Sequence, residues 1–401
     1  MAGEDRLPFP RLECGYPIGR GAQRHRSHWA VKLEGIRVVD LSVFLPGPYM
    51  TMVMADHGAE VVKVELPSGD PAREIGESDG PSTVFFRNLN RGKKSVALDL
   101  KTAAGKAALD RLVDDADVFV ETFRPGVMQR LGLDHVTLTA RNPRLVYCSI
   151  SAFGQSGPYA MRPAHDLATE AMAGVISINV GADGKPTIPA IPAADMLAAL
   201  HALSGVLMAL LRRQSSGRGD VIDLSMHEAV LATIPNVLGS TLAENRQPIP
   251  RHERGLGGAG FYHIYETKDA RHVVLGGQEM KFVRNLLNRL GRLDLASLAE
   301  RGPGDHQRPL IDFLAETFRT KTQAEWVDWV RDLDICFAPV KTLPESLADE
   351  HALARGMILV DEHGRRHIAP AVRFRNEPPV PNLTEPRLGE HTKILTNLDS
   401  G

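Results

Sequence analysis

Asp195 stands at the mouth of a nearly uninterrupted apolar run, in "PTIPAIPAADMLAALHALSGVLMALLRRQSSGRGD", residues 186–220. Pro189 and Pro192 upstream and helix formers downstream suit a helix N-cap, whose carboxylate accepts first-turn N–H groups and contributes about 1 kcal/mol. The same placement holds a carboxylate ionised and fixed at the positive end of a helix dipole, as a nucleophile attacking an acyl carbon requires. The residues alone are compatible with both roles. His165 and Asp166, in "GPYAMRPAHDLATEAMAG", follow a strand and a Gly-Pro loop. That puts them beyond the carboxyl end of a strand, where open α/β sheets hold ligands, although a lone histidine is otherwise a surface residue. Glu279, in "VLGGQEMKF", follows a glycine pair that permits close backbone approach; an exposed turn glutamate fits the same pattern.

Two further stretches suit an anionic ligand. "FLPGPYMTM" sets Gly47 and Pro48 between a strand and a helix, where first-turn N–H groups face phosphate. "NLNRGKKS" carries Arg91, Lys93 and Lys94, and "ETFRPGVMQRLG" adds Phe123, Arg124 and Arg130. No Walker-type loop and no G-x-G-x-x-G follows the first strand, which argues against nucleotide hydrolysis and dinucleotide oxidoreduction. No H-E-x-x-H and no paired-cysteine motif points to a metal.

The elements that must position these residues are read from periodicity. "IRVVDLS", "AEVVKVE", "KSVALDL", "ADVFVETF" and "PRLVYCSIS" are short runs apolar on both faces, as strands covered by helices on each side require. Helical segments such as "TAAGKAALDRLVDDA" alternate with them, which predicts an α/β fold with a parallel sheet and right-handed crossovers: a doubly wound, Rossmann-like large domain. The helix from Asp195 to about Arg213 is apolar nearly all round and is expected to be central and buried. "GLGGAGFYHIYETKDARHVVLGGQEMKFVRNLLNRLG" reads as a hairpin and helix, followed by helices with Trp326 and Trp329 on one face. The expected organisation is an N-terminal arm over 1–30, a large domain over 31–225, a small α+β domain over 226–340, and a segment over 341–401 that returns to the large domain.

The chain has 401 residues, of which 43% are hydrophobic and 24% charged, as in an ordinary globular protein. A net charge of −2 gives no reason to expect nucleic acid or a membrane surface as partner. Cys14, Cys148 and Cys336 are too few and too scattered for a disulfide framework, so a reducing, cytoplasmic setting is expected. The longest apolar candidate, residues 196–211, is interrupted by His201, Ser204 and Gly205, so no membrane span is expected.

Four stretches carry a resemblance: "LEGIRVVDLS…GPYMTMVMADHGAEVVKVE", "NRGKKSVALDLKTAAGKAALDRLVDDADVFVETFRPGVMQRLGL", "NPRLVYCSISAFGQSGPY" and "RRQSSGRGDVIDLSM". The chain resembles the family III CoA-transferases (CaiB/BaiF, formyl-CoA transferase-like), with the α-methylacyl-CoA racemases as a sister branch, over about residues 31–390. The resemblance implies an interlocked-ring homodimer and an acyl-CoA thioester substrate, with no metal or redox cofactor. It aligns Asp195 with the family's catalytic aspartate, which in the transferase branch passes coenzyme A to a small carboxylic acid through an anhydride. In that branch the loop "GLGGAG" would supply oxyanion donors from Gly257, Gly258 and Gly260. In the racemase branch Asp195 would act as acid or base opposite His165, with Glu279 at the histidine's site. By position the resemblance places Gly47 and Pro48 near the pantetheine, Lys93 and Arg124 toward phosphates, and Phe123 and Arg130 around the adenosine and its 3′-phosphate. "PGP", "HD", "QEMKF" and "DICFAPV" are racemase-like, whereas the long segment after Asp70 and the lack of a Gly-rich run after Asp195 are transferase-like. Transfer is the reading taken, with racemisation as the alternative. The family's formyl-CoA transferases carry a tyrosine, a glutamine and an arginine where His165, Leu45 and Leu66 stand, which argues against formyl or oxalyl substrates.

Overall fold

The computed structural model describes residues 31–395 except 182; the expected N-terminal arm and Cys14 lie outside them. The chain divides into two compact units. One comprises the described residues up to Arg162, Ala198–Ser225 and the described residues from Leu343; the other comprises Pro163–Leu197 and Met226–Thr342. Residues 163–197, read from sequence as part of the large domain, therefore cluster with the small unit, and they take His165, Asp166 and Asp195 with them.

The large unit is built on six strands, β1 (Arg37–Asp40), β2 (Glu60–Glu65), β3 (Lys94–Ala97), β4 (Val118–Glu121), β5 (Val146–Ser151) and β6 (Val221–Ser225), in the order β3-β2-β1-β4-β5-β6. Every pairing in this sheet is parallel. β4 and β5 are buried along their whole length, which is why their sequences lack polar alternation. Helix α1 (Pro46–Asp56) links β1 to β2, α2 (Val84–Asn90) precedes β3, and α3 (Ala103–Asp114) links β3 to β4. Leu109 and Val113 of α3 are fully buried in one apolar core with Phe119, Leu138 and Leu145. The strand order reverses between β1 and β4, and in open α/β sheets the crevice at such a switch point takes the ligand.

In the small unit, α4 (Asp166–Met172) leads toward the start of α5 (Ala193–Ser216), and α6 (Met226–Ala232) packs on α4. A hairpin of β7 (Tyr262–Glu266) and β8 (His272–Gly276) gains a third antiparallel strand, β9 (Phe337–Pro339), from the end of the expected small domain. Helices α7 (Met280–Arg289), α8 (Arg308–Phe318) and α9 (Gln323–Trp329) close a core around Phe318 and Trp326. The Trp326 ring N–H donates to the Phe318 carbonyl at 2.7 Å, and Trp326 meets Trp329 edge-on. Asp361 lies just after β10 (Ile358–Val360), which pairs antiparallel with β11 (Arg366–Ile368) in the large unit.

Helix α5 departs from expectation in two ways. At 24 residues and mean hydropathy 1.8 it is long and apolar enough, by length and composition alone, to cross a membrane, because its polar interruptions are single and mild. It is also not buried all round. Ala198, Ala199, Ala202 and Val206 are fully buried, while Leu200, Leu207, Met208 and Leu211 form an opposite stripe that is 47, 40, 65 and 68% exposed. A buried face of small residues is the mark of a helix packed closely within a fold, and Gly205 brings it against Ile222 of β6.

Candidate active site

Helix α5 begins at Ala193, and the Pro192 carbonyl accepts the first helical bond from the Met196 N–H at 3.0 Å. Asp195 is thus the third helical residue and not the N-cap that its sequence suggested. The capping is done by two acids of α4. Asp166 Oδ1 accepts the Asp195 N–H at 3.1 Å, and Glu170 Oε1 accepts the Ala193 N–H at 2.9 Å. Asp166 and Glu170 stand four apart, on one face of α4, so both reach the same helix end. This leaves the Asp195 carboxylate half-buried and, among the described residues, without a hydrogen-bond donor. Burial first, then the charges of Asp166 and Glu170, push its pKa up to about 7. Glu170 was not singled out from sequence; its only signal was its spacing from Asp166 in "HDLATEAM".

His165 is exposed at the N-cap of α4, with its carbonyl accepting from the Thr169 N–H and hydroxyl. Glu279 is exposed at the N-cap of α7, and its side chain makes no capping bond. In the glycine loop, the Gly258 N–H donates to the Glu253 carbonyl at 3.1 Å and the Gly260 N–H to Gln307 Oε1 at 2.9 Å. Both amides are therefore spent inside the small unit and do not serve as oxyanion donors, a correction to the sequence reading. Gly258 is glycine for packing, since a Cβ would lie 2.7 Å from the Arg251 carbonyl oxygen. Gly257 has φ +92° and its carbonyl lies 3.2 Å from His263 Nδ1.

The large unit presents the switch point. Gly47 is forced by close approach: a Cβ there would sit 2.2 Å from Ser42 Cβ. Pro46 and Pro48 flank it, so Gly47 has the one N–H in a stretch where sequence expected several. Just before them Phe44 holds φ +63°, a left-handed geometry that costs a non-glycine residue about 1–2 kcal/mol.

Lys93 corrects another expectation. Its Nζ is buried and donates to Asp40 Oδ2 at 3.0 Å, the Pro48 carbonyl at 2.9 Å and Asn90 Oδ1 at 2.8 Å. An ammonium has three N–H donors, so none is left for a phosphate. Asp40 also accepts from Thr51 and Ser42, and neighbouring Lys63 pairs with Asp70 at 2.8 Å and donates to the Ser42 carbonyl. Burial alone would raise the Asp40 pKa, but Lys93, Lys63 and the two hydroxyls hold it down at about 2.

Across the switch point, β4 ends on Glu121, buried, whose Oε2 accepts the Phe123 N–H at 2.7 Å. Burial raises its pKa to about 7 despite hydrogen bonds from Ser149 and Phe123. Phe123 is half-buried against the large core, while Arg124 and Arg130 are exposed and, among the described residues, have no acidic partner. No cluster of His, Cys, Asp and Glu able to hold a metal occurs among the described residues.

The fold defines a class, the doubly wound α/β proteins with a parallel six-stranded sheet. The chain matches CoA-transferase family III over residues 33–392, and it belongs to that family. It is 36% identical over 367 residues to human alpha-methylacyl-CoA racemase, covering 90% of this chain and 92% of that protein. It is 34% identical over 382 residues to succinyl-CoA–D-citramalate CoA-transferase of Chloroflexus aurantiacus, covering 91% and 94%. A solved CAIB/BAIF family protein from Brucella suis superposes with a TM-score of 0.79 at 28% identity, covering 92% of this chain and 99% of that one.

Proposed function

We propose that this protein transfers coenzyme A between an acyl-CoA thioester and a carboxylic acid, with Asp195 as nucleophile. A carboxylate oxygen attacks the acyl carbon and the C–S bond breaks, giving an acyl-aspartyl anhydride and CoA thiolate. Thiolate attack on the aspartyl carbonyl releases the first acid and leaves CoA on Asp195, and the incoming acid runs the sequence in reverse. The observation that carries this is the Asp195 carboxylate itself, placed on the helix's first turn with no hydrogen-bond donor to it among the described residues. Proton affinity and nucleophilicity rise together, so a carboxylate that titrates near 7 attacks better than an ordinary aspartate while half-ionised at neutral pH. Transferases of succinate and glutarate among the relatives support a small carboxylic acid as acceptor. Hydroxylamine or borohydride added during turnover is expected to modify Asp195, as read by peptide mass spectrometry; unmodified Asp195 in an actively exchanging enzyme would overturn the reading.

Arg124 and Arg130 suit the phosphates of CoA, and Phe123 the adenine, because they stand exposed or half-exposed where the sheet reverses. The apolar stripe of α5 suits a second copy of the chain, as the expected interlocked homodimer requires; a monomer by light scattering at micromolar concentration would exclude it.

A second reading is racemisation of a 2-methylacyl-CoA by Asp195 and His165. It is favoured by a carboxyl that titrates near the working pH of a general acid-base and by the 36% identity to a racemase. Deuterium from D2O would then enter the α-carbon without any acceptor acid.

A further inference from the structure

Three carboxyl groups converge on one helix end, and only one of them is explained by the chemistry above. Glu170 is 2% exposed, and its carboxylate is held by the N–H groups of Ala193 and Ala194 in the first turn of α5. Capping alone does not require a charge there, since the neutral carbonyl of a glutamine accepts the same amides, although the positive end of the α5 dipole favours one. Nor does the charge suit its own helix, because Asp166 lies one turn away on the same face and like charges at that spacing repel. A buried acid with an acid on either side is costly unless its charge has a use.

We infer that Glu170 is a positioning residue for the reaction at Asp195: its carboxylate anchors the helix turn that carries Asp195 and places a second negative charge beside it. The inference rests on the proposed role of Asp195. The groups around it are few. α4 opens on His165 and bears Asp166; α6, packed on α4, carries half-buried His227 and exposed Glu228; the adjacent turn Val175–Ser177 has no titratable group. Of these, Asp166 and Glu170 are the charges that raise the proton affinity of Asp195, after burial, and Glu170 is itself raised by burial and by Asp166. The effect is to raise the protonated fraction of Asp195 near neutral pH and to make it a stronger base once ionised.

Glu170→Gln keeps the amide acceptor and removes the charge. The expected result is that the acid limb of the kcat–pH profile for acyl-CoA turnover moves down by about one pH unit. Turnover at pH 6 then rises severalfold, while the plateau above pH 8 falls and KM is unchanged. A merely structural role would lower kcat at every pH and leave the midpoint in place, and that result would overturn the inference. Should the variant not fold, reciprocity supplies a second measurement. In protein carrying 13C at the glutamate δ-carbon, Asp195→Asn is expected to lower the titration midpoint of one buried glutamate by the same interval; no displaced glutamate midpoint would equally overturn the inference. The two readings fail separately. Turnover that survives in Asp195→Asn sinks the role of Asp195, whereas an inactive Asp195→Asn with unmoved midpoints sinks only that of Glu170.

Discussion

Two groups of buried or half-buried charges, one in each compact unit, are built on opposite principles. Under the end of β1, Asp40 and Asp70 each meet a lysine ammonium, all three donors of Lys93 find acceptors, and the Asp40 carboxylate is held at about 2. At the start of α5, Asp166, Glu170 and Asp195 meet no cation among the partners assigned to them; backbone amides hold the first two, and Asp195 is driven up to about 7. The first arrangement has no capacity left to interact with a ligand and serves to fix the β1–α1 loop. The second keeps one carboxylate short of partners, which is costly for the fold and useful for chemistry. Neither arrangement is a matter of residue type, since both are aspartates with lysines, glutamates or amides in range.

The largest effect that sharpens this contrast is on turnover. Asp195→Asn removes the proposed nucleophile and is expected to lower kcat at least about 10³-fold. The same change should leave the melting temperature at pH 8 unchanged or higher, because a group whose folded pKa is raised stabilises the fold at low pH and loses that contribution as pH climbs through about 7. A variant that is inactive only because it melts early would break the comparison.

Next comes Lys93. Removing one partner from a buried pair strands the other, so Lys93→Met should destabilise the protein by about 3–5 kcal/mol, and Asp40→Asn in the same chain should restore much of that. Lys94, its sequence neighbour, is exposed and pairs with Glu60 on the surface, so Lys94→Ala is expected to cost less than about 1 kcal/mol. Denaturant melts of the four proteins test the point. Equal costs at 93 and 94 would mean that the buried network is not what it appears to be in geometry.

That pair of lysines also shows where sequence stops being informative. The parallel strands are legible because strands buried on both faces leave uninterrupted runs such as "VFVE" and "VYCSIS", and the strand–helix alternation dictates the crossovers. "RGKKS" cannot reveal which lysine turns inward, because the choice depends on an aspartate 53 residues earlier. The start of α5 is legible to within three residues, and the error has a cause: a proline carbonyl at 192 can begin the ladder, so the acid three places on is free for something else. Glu170 was hidden because acids four apart on a helix usually face water. Gly258 and Gly260 misled for the converse reason, since glycines needed for close packing look like glycines needed for a ligand.

Glu121 belongs to neither group and tests the rule in between. It is fully enclosed and raised from 4.5 to about 7, so its contribution to stability is complete below about pH 4.5 and is lost as pH rises through 7. Glu121→Gln should therefore gain on the parent between pH 5 and 8, by about 2 kcal/mol at the top of that range, as read by melts at a series of pH values. A gap that does not grow with pH would mean that Glu121 is already compensated in the way Asp40 is.

The smallest effect concerns the arginines at the switch point. Arg124 and Arg130 are exposed, and no carboxylate among the described residues competes for them, in contrast to Arg91, which is buried against Asp56 at 2.6 Å. A charge-assisted hydrogen bond from an exposed guanidinium is worth about 1–2 kcal/mol, so Arg124→Ala should raise KM for acyl-CoA roughly 5–30-fold with kcat and melting temperature unmoved. The effect should shrink as salt rises, because solvent-exposed charges are screened within about 8 Å at physiological ionic strength. Acyl-pantetheine, which lacks the nucleotide, should be indifferent to the substitution if Arg124 holds a phosphate of that part. If Lys93→Met instead gave this signature, an isolated rise in KM on a fully stable protein, the buried lysine would have to be reassigned to the ligand and the contrast drawn above would fall.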